Sequence, residues 1–542
     1  MTSSTRENYD TDTAFAERVR ANQALLTTSL KTSYDFIVCG AGSSGSVVAA
    51  RLAENPAVSV LLVEAGGDDD TADVVIPERW VNNLGSKRSW SFATAPSPHV
   101  NHRSDRWPMG KVLGGGSSIN VMVWARGHRD DWDSFAEHAQ DKTWSYESVL
   151  DVYRRIENWQ GAADLHYRGV GGPVHVEPAV DPNPLALATL AAARSVGIST
   201  YPHANGALME AASGAALGDL RVRNGQRESV FRSYTYPLMD RPNLTVLSDT
   251  HVARVLFEGT TAVGVEVIRH GAPRRIRATT EVVLSLGAIG TPTVLQQSGV
   301  GDQTDLRRLG IPVVGDLRGV GRNLQDHVAF DCMWEYVTAE APRNNGAETL
   351  IFGDTIGGSP HPNVFAGQIE APYTTSTNAM HFGLPDAGWV LHAAITHPRS
   401  RGRVRLSGPH PNHPPVIEAN TLSHPDDVDA ALACIDWARE IGNASALRPF
   451  VKREVMPGTL TRDRLTNFAR NAATTFFHQC GTAKMGHDDD AVVNGVLQVH
   501  GIQNLRIADA SIMPHITTGN TMAPCVVIGE QAARMLIDHH EL

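Results

Sequence analysis

The stretch YDFIVCGAGSSGSVVAARL, residues 34–52, decides the fold prediction for this chain. Its apolar start, residues 34–39, predicts a buried strand, and Ser43 to Leu52 predict a helix. The apolar run from Val58 to Val63 predicts a second strand, which ends in Glu64. A strand, a helix and a second strand in this order form a βαβ unit, so we expect an α/β fold with a Rossmann-like sheet.

Three glycines in this stretch each have a distinct physical task. Gly40 permits a tight turn, Gly42 lets the backbone approach a pyrophosphate, and Gly45 lets the helix pack closely on the strand. The helix N-terminus offers N–H groups and a positive dipole end to phosphates. Glu64 lies 19 residues after Gly45, where an acid accepts hydrogen bonds from a ribose. The motif predicts a dinucleotide site, but alone it leaves NAD and FAD open.

Composition and charge restrict the partners of the chain. Its 542 residues are 42% hydrophobic and 19% charged, which is typical of a globular protein with a large core. The net charge of −11 disfavours nucleic acid and a basic membrane patch. No apolar run approaches the roughly 18 residues of a membrane span. We therefore expect small-molecule partners, and neither nucleic acid nor a membrane span.

The cysteines and the N-terminal segment indicate a reduced compartment. The five cysteines are widely spaced, and no pair has the short spacing of a zinc site or a redox dithiol. We expect no metal site and a reduced, cytoplasmic chain. The first residues are polar and do not resemble a signal peptide. Ala14 to Leu30 predict a short amphipathic helix, so residues 1–32 are interpreted as an N-terminal extension on the body of the protein.

Two later segments predict further strands of the same parallel sheet. Glu281 to Leu286 precede Gly287, and Leu505 to Ala508 precede Asp509. Ligands of open α/β sheets bind at the carboxyl ends of the strands. Pieces of the nucleotide site thus lie near the start, the middle and the end of the chain. This distribution predicts two interleaved domains.

A second glycine-rich stretch lies between Arg106 and Gly127, RWPMGKVLGGGSSINVMVWARG. The three consecutive glycines at 114–116 cannot build a regular element, but they let the backbone lie against a flat ligand. Apolar and aromatic flanks indicate a buried loop, whose backbone groups need partners. A flavin ring supplies such donors and acceptors, whereas a nicotinamide enzyme needs no second glycine loop. The loop therefore favours FAD.

Two motifs in register with this fingerprint resemble the glucose–methanol–choline family of FAD-dependent oxidoreductases. One signature matches Gly110 to Asp133, beginning GKVLGGGSSIN, and the other matches Gly287 to Gly301, GAIGTPTVLQQSGVG. The resemblance implies a discontinuous Rossmann-like FAD-binding domain and an interleaved substrate domain built on an antiparallel sheet. The expected bounds are residues 33–160, 225–325 and 490–542 for the FAD-binding domain, and 161–224 and 326–489 for the substrate domain.

The resemblance also implies the cofactor contacts and the mode of attachment. Some family members link a histidine of the glycine loop covalently to FAD, and the matching residue here is Ile119, which cannot form that bond. We therefore expect non-covalent FAD. The implied contacts are Gly40, Gly42, Ser43, Ser44, Gly45, Glu64, Ala65, Trp90, Gly110, Gly115, Ser118, Ile119, Asn120, Val121, Val252, Gly287, Asp509, Ala510, Asn520, Thr521 and Met522.

The catalytic residues are expected in the last part of the chain. Oxidation of an alcohol needs a base within reach of the hydroxyl, and histidine suits this task because its pKa lies near neutrality. Among the 23 histidines, His478 matches the catalytic histidine of the family, and Asn520 matches its second catalytic position. We predict that His478 is the acid/base group and that Asn520 orients the hydroxyl. His515 is interpreted as structural, and Cys480 as a packed core thiol.

The substrate is expected to be an uncharged primary alcohol, aromatic or aliphatic. Choline-oxidising members surround the trimethylammonium with a carboxylate and aromatic rings, but the matching positions here are Ala329, after NLQDH, and Phe477; only Trp80 is kept from that cage. The expected pocket is largely apolar and consists of Val121, Phe330, Phe477 and Pro524. Electrons would pass to oxygen or another acceptor.

Other functions remain open at this point. A choline-type or sugar-type alcohol dehydrogenase of the same family is one alternative. A flavin-dependent lyase or photodecarboxylase on the same fold is a second, and a non-catalytic FAD-binding module is a third. The presence of both His478 and Asn520 disfavours the last two.

Overall fold

Two seven-stranded sheets organise residues 13–542, which are the residues described by the computed structural model of the chain. Their strands are β1 (Ser33–Cys39), β2 (Val60–Val63), β3 (Gly214–Leu217), β4 (Leu244–Leu247), β5 (Thr250–Glu258), β6 (Thr261–Arg269), β7 (Ala272–Leu284), β8 (Val328–Tyr336), β9 (Thr349–Gly353), β10 (Val364–Ile369), β11 (Gly388–Ile395), β12 (Val451–Met456), β13 (Thr474–Thr475) and β14 (Leu505–Ile507). The longer helices are α1 (Thr13–Thr28), α2 (Ser43–Ala53), α3 (Arg129–Ala139), α4 (Tyr146–Ile156), α5 (Pro184–Ser195), α6 (Gly287–Gln297), α7 (Pro425–Gly442), α8 (Arg462–Ala472) and α9 (Met522–His540).

The first sheet contains a parallel core in the order β4-β2-β1-β7, with β14 also parallel to β7. Phe36 lies opposite Val60 on one side and Glu281 on the other. The first half of β7 pairs with β6, and β6 pairs with β5, in both cases antiparallel. β2 is apolar and buried along its whole length, and β1 is so from Phe36 onward, as expected for strands in the middle of a parallel sheet. The predicted α/β class is confirmed, and the predicted strand from Val58 begins at Val60.

The parallel strands end at one common edge of this sheet. Gly40 follows β1, Glu64 follows β2 and Asp249 follows β4, while Gly287 and Asp509 follow β7 and β14. Segments that are hundreds of residues apart in sequence therefore meet at this edge. This agrees with the interleaved arrangement read from the sequence, while the individual domain bounds stay a prediction.

The second sheet is antiparallel, in the order β12-β8-β11-β10-β9-β3, and β13 pairs with β8. Helices α5, α7 and α8 cover one face, where they share an apolar core with the strands. The opposite face carries a separate apolar cluster that includes Ala329, Phe352 and Phe365. This is the antiparallel sheet that the family resemblance implies.

Helix α1 forms most of the described part of the predicted N-terminal extension, whose first 12 residues lie outside the described range. Gln23 anchors it to the sheet edge: its amide donates to the carbonyl oxygens of Met239 and Leu244 at 2.8 and 2.9 Å, and its oxygen accepts from the N–H of Val246 at 2.9 Å. The extension thus rests beside β4.

The helices and the thiols agree with a chain that has no membrane-spanning helix and no disulfide among residues 13–542. Among residues 13–542, no helix is long and apolar enough to cross a membrane. All five cysteines are free thiols, four of them buried. Cys480 is fully buried, and desolvation raises the pKa of its thiol well above the usual range. A packed core thiol of this kind is the role expected for Cys480.

Candidate active site

A cavity of about 820 Å³ begins at the carboxyl edge of the first sheet and reaches the second sheet. Within it lie most of the residues expected to contact the cofactor: Gly40, Gly42, Ser43, Ser44, Glu64, Ala65, Trp90, Gly110, Gly115, Ile119, Asn120, Val121, Val252, Gly287, Asp509, Ala510, Asn520, Thr521 and Met522. Residues from the beginning, middle and end of the chain share this wall. Gly45 and Ser118 are the two expected contacts that do not line it.

The N-terminus of α2 forms the phosphate end of the cavity. Gly42 is the N-cap residue, and no side chain caps the helix, which leaves its first N–H groups free for an anion. A Cβ on Gly42 would meet no atom within 4 Å, so its position borders open space. Gly40 has a left-handed φ of 97°, and a Cβ on Gly45 would lie 1.9 Å from the Gly40 carbonyl oxygen. Gly45 therefore acts through helix–strand packing.

Glu64 stands at the end of β2 and borders the same cavity. One of its oxygens accepts from the N–H of Ala41 at 3.0 Å, and the other accepts from the N–H of Gly66 at 2.9 Å. Burial raises the pKa of this carboxyl to about 7. Its place beside the phosphate end suits a carboxylate that accepts hydrogen bonds from a ribose hydroxyl.

The second glycine loop packs directly on the fingerprint. A Cβ on Gly115 would lie 2.7 Å from the Cα of Gly42, and a Cβ on Gly110 would lie 2.2 Å from the carbonyl carbon of Gly115. The Ser118 hydroxyl donates to the Leu113 carbonyl oxygen at 2.6 Å, so this side chain stabilises the loop from behind. The free helix N-terminus, the open space at Gly42 and the glycine loop, which tolerates no Cβ at Gly115 where it touches Gly42, together fit a dinucleotide that ends in a flavin.

The predicted catalytic pair meets at the other end of the cavity. The imidazole Nε2 of His478 lies 3.2 Å from the amide Nδ2 of Asn520, and the Asn520 Oδ1 has no hydrogen-bond partner among the described residues. On its other side, Nδ1 of His478 lies 2.8 Å from Nδ1 of His327. The ring of Phe476 stacks on His478 at a centroid distance of 5.0 Å.

Burial makes His478 a neutral imidazole. Desolvation, with a smaller contribution from His392, lowers its pKa to about 3. Desolvation also lowers the pKa of His327 well below the usual range. Because the Asn520 amide donates to Nε2, that nitrogen carries the lone pair, and Nδ1 carries the proton and donates to His327. This tautomer presents a basic nitrogen beside the cavity.

Local backbone geometry positions the imidazole. Phe477 adopts a left-handed φ of 64°, which is uncommon for a bulky residue, and its N–H donates to the Thr475 hydroxyl at 2.6 Å. One oxygen of Asp326 accepts from the His478 N–H at 3.0 Å, and the other accepts from the Gln479 amide at 2.9 Å. Burial raises the pKa of Asp326 to about 7. The turn that carries His478 is thus fixed on both sides.

Two of the four expected pocket residues lie elsewhere. Val121 and Phe477 line the cavity, but Phe330 and Pro524 do not. Phe330 belongs to the core beneath the helices, because successive residues of a strand point to opposite faces and its neighbour Ala329 takes the cavity face. Pro524 is buried in the first turn of α9. In place of these two, the wall near His478 contains Leu350, Ile369, Tyr373, His392 and Phe476, none of which had been expected there.

His515 lies outside the cavity wall. Its ring packs edge-on against Phe135 at 5.1 Å, and its Nδ1 lies 3.2 Å from the Ile516 carbonyl oxygen. The nearby Asp131 accepts from the backbone N–H of Thr518 at 2.6 Å and binds His397 at 3.0 Å. This polar cluster supports the loop that leads to Asn520, in keeping with the structural role expected for His515.

A parallel sheet with a dinucleotide cradle at its carboxyl edge, joined to a buried histidine that contacts an asparagine at the cavity wall, defines a flavin-type oxidoreductase. The chain belongs to the GMC oxidoreductase family: the N-terminal profile of that family matches residues 34–329, and the C-terminal profile matches residues 398–529. The class expected from the sequence, an FAD-dependent oxidoreductase acting on alcohols, is confirmed.

Individual relatives span nearly the whole chain. An alcohol dehydrogenase (acceptor) of Pseudomonas putida is 35% identical over 534 residues, covering 93% of this chain and 96% of the relative. An oxygen-dependent choline dehydrogenase of Escherichia coli is 37% identical over 539 residues, covering 93% and 95%. The crystal structure of pyridoxine 4-oxidase from Mesorbium loti is 30% identical with a TM-score of 0.88, covering 94% of this chain and 99% of that one.

Replacement of His327 should reduce turnover without loss of the cofactor. His327→Ala removes the acceptor for the Nδ1 proton of His478, so the predicted base loses its orientation and flavin reduction by a primary alcohol should slow on the order of 10²-fold. His327→Gln can accept the same hydrogen bond and should restore most of the rate.

Rapid-mixing measurements of flavin reduction across pH would check this. The exposed His166→Ala variant is the control and should match the unmodified protein. A His327→Ala protein that reduces its flavin at the full rate, with an unchanged pH profile, would remove His327 from the positioning of His478.

Proposed function

We propose that this protein oxidises an uncharged primary alcohol to the aldehyde, with FAD bound non-covalently and His478 as the base. The observation that carries the proposal is the neutral His478, whose Nε2 lies 3.2 Å from the Asn520 amide at the cavity wall. FAD, when bound, accepts the hydride from the carbinol carbon. Oxygen or another acceptor then takes the electrons.

The two side chains suit complementary roles toward one hydroxyl group. The lone pair of His478 Nε2 can accept the hydroxyl proton, since the imidazole is neutral at the start of the reaction. The Asn520 amide can donate to the alcohol oxygen and hold it as negative charge develops. An amide has no basic nitrogen, so the proton goes to the histidine.

The cavity wall near this pair supports an uncharged substrate. Val121, Leu350, Ile369, Phe476 and Phe477 present apolar surface there. Ala329, at the position where choline-oxidising members carry a carboxylate, cannot pair with a quaternary ammonium. Aromatic or aliphatic primary alcohols fit this surface better than choline does.

Anaerobic mixing with a panel of primary alcohols tests the function directly. At least one alcohol should bleach the flavin, and His478→Ala should retain FAD but slow this bleaching about 10²–10⁴-fold, the usual contribution of a general base. Asn520→Ala is a second variant that should slow the step while keeping the base. A protein whose flavin no alcohol bleaches would favour the lyase or photodecarboxylase alternative.

The rate of flavin reduction should begin to fall only at an unusually low pH. Because the pKa of His478 is lowered to about 3, the imidazole stays deprotonated as pH falls through the ordinary histidine range near 6.5. The flavin reduction rate should therefore stay level through that range and decline only at lower pH, within the window where the protein remains folded. A limb centred near 6.5 in the unmodified protein, and absent in His478→Ala, would contradict a neutral buried base.

Acid precipitation should release the flavin. Ile119 lines the cavity at the position where other members carry the covalently linked histidine, and its side chain has no nucleophilic atom. The supernatant should turn yellow and the pellet should stay colourless. A yellow pellet that resists washing in denaturant would mean covalent attachment through another residue.

A further inference from the structure

A buried imidazole–carboxylate pair borders the substrate end of the cavity. Asp331 on β8 lies directly opposite His392 on β11, and the Nδ1 of His392 is 2.7 Å from the Oδ1 of Asp331. Asp331 is fully buried and His392 is 3% exposed. The pair shares its sheet face with Ala329, while Phe330 and Cys332 point into the opposite core. The alcohol oxidation described above makes no use of it.

The pair lies one aromatic ring away from the predicted base. The ring of His392 is 4.3 Å from that of Phe476, which in turn is 5.0 Å from that of His478. Tyr373 covers another side of His392 at a ring distance of 5.6 Å. A substrate whose hydroxyl meets His478 and which extends along Phe476 therefore brings its far end to His392.

The chemistry of the pair is that of a hydrogen-bond acceptor. Asp331 accepts the N–H at Nδ1, and this contact selects the tautomer of His392 whose lone pair lies on Nε2. No hydrogen bond joins that Nε2 to any residue between 13 and 542, and the Oδ2 of Asp331 has no partner there either. Within the same range, His392 is the only Lys, Arg or His side chain within ion-pair distance of Asp331.

A ligand group that donates to Nε2 would give this residue of the cavity wall a second hydrogen-bond partner. We propose that His392, held by Asp331, binds a hydrogen-bond donor at the far end of the substrate. The protein would then select primary alcohols that carry a second donor group, a hydroxyl or an amine N–H, about one benzene ring away from the oxidised carbon. The proposal rests on the alcohol oxidation proposed above and specifies its substrate class.

The negative charge of Asp331 distinguishes donors from anions. A carboxylate at the same place on the substrate would face an uncompensated carboxylate behind the imidazole, which disfavours it. A methyl or methoxy group would leave Nε2 without a donor. The expected order of preference is therefore a donor group first, then an apolar or acceptor-only group, then an anion.

Para-substituted benzyl alcohols test this order on the holoenzyme. Hydroxyl and methoxy substituents activate the ring similarly, but only the hydroxyl donates a hydrogen bond. We expect 4-hydroxybenzyl alcohol to exceed 4-methoxybenzyl alcohol about tenfold or more in kcat/KM, the usual effect of one hydrogen bond to a charged or buried partner. 4-Aminobenzyl alcohol should follow the hydroxyl compound, and 4-carboxybenzyl alcohol should be the poorest of the series.

His392→Leu should abolish the preference. It removes the acceptor but retains apolar bulk, so 4-hydroxybenzyl and 4-methoxybenzyl alcohol should become nearly equal in kcat/KM, whatever the change in the common rate. Asp331→Asn, which removes the charge but keeps the shape, should weaken the preference as well. His381→Leu is the matched control, because His381 is an exposed histidine on the neighbouring helix Ser376–Phe382.

The outcomes separate this inference from the proposed function. If 4-methylbenzyl alcohol bleaches the flavin but the unmodified protein shows no preference for a donor, the inference fails and the oxidation stands. The inference fails in the same way if His392→Leu keeps the full preference. If no alcohol of the series reduces the flavin, the proposed function itself fails. If His392→Leu loses FAD, the inference is tested by the other two proteins. It stands if the unmodified protein prefers donor-bearing alcohols and Asp331→Asn prefers them less, and it fails if either result is absent.

Discussion

The site depends on a single junction at Ser285, where three parallel strands meet. The N–H of Ser285 donates to the Cys39 carbonyl oxygen at 2.7 Å, and its hydroxyl donates to the Ala508 carbonyl oxygen at 2.8 Å. A Cβ on Gly40 would lie only 2.2 Å from the carbonyl oxygen of Ser285. The carboxyl ends of β1, β7 and β14 are thus tied together, and the glycine at position 40 is a steric requirement of that junction. The cofactor residues from distant parts of the chain converge because this contact is made.

At the reactive end, burial sets the chemistry more than any charged neighbour does. His478 touches an uncharged amide, a neutral imidazole and an aromatic ring, and its pKa falls because water is excluded. A buried imidazole without a carboxylate partner stays neutral and keeps its lone pair at Nε2, where it faces the Asn520 amide. Orientation must then come from hydrogen bonds to neutral groups, and His327 supplies the one at Nδ1. The same principle explains why Asp326 contacts the backbone of His478 and not its ring.

The sequence predicted those parts of the molecule that local patterns determine. The strand–glycine–helix unit and the glycine loop follow from short motifs, because each motif meets a steric or chemical requirement within a few residues, whereas His478 and Asn520 were assigned by the family resemblance. The contact between His327 and His478 spans 151 residues, and the NLQDH segment offered no sign of it beyond its nearness to the expected carboxylate position. His392 and Asp331 depend on the pairing of β8 with β11, and no local signal specifies that register.

In strand β8, the two-residue alternation of side chains decides which residues face the cavity side and which face the core. Alternation along a strand places Ala329 and Asp331 on one face, and Phe330 and Cys332 on the other. The sequence led us to expect Phe330 in the apolar pocket, but as the strand neighbour of Ala329 it points to the opposite face. The carboxylate that is missing at Ala329 recurs two residues later on the same face, but there His392 stands between it and the cavity. The pocket therefore presents a nitrogen lone pair backed by a negative charge, and such a surface discriminates by hydrogen bonding as well as by size.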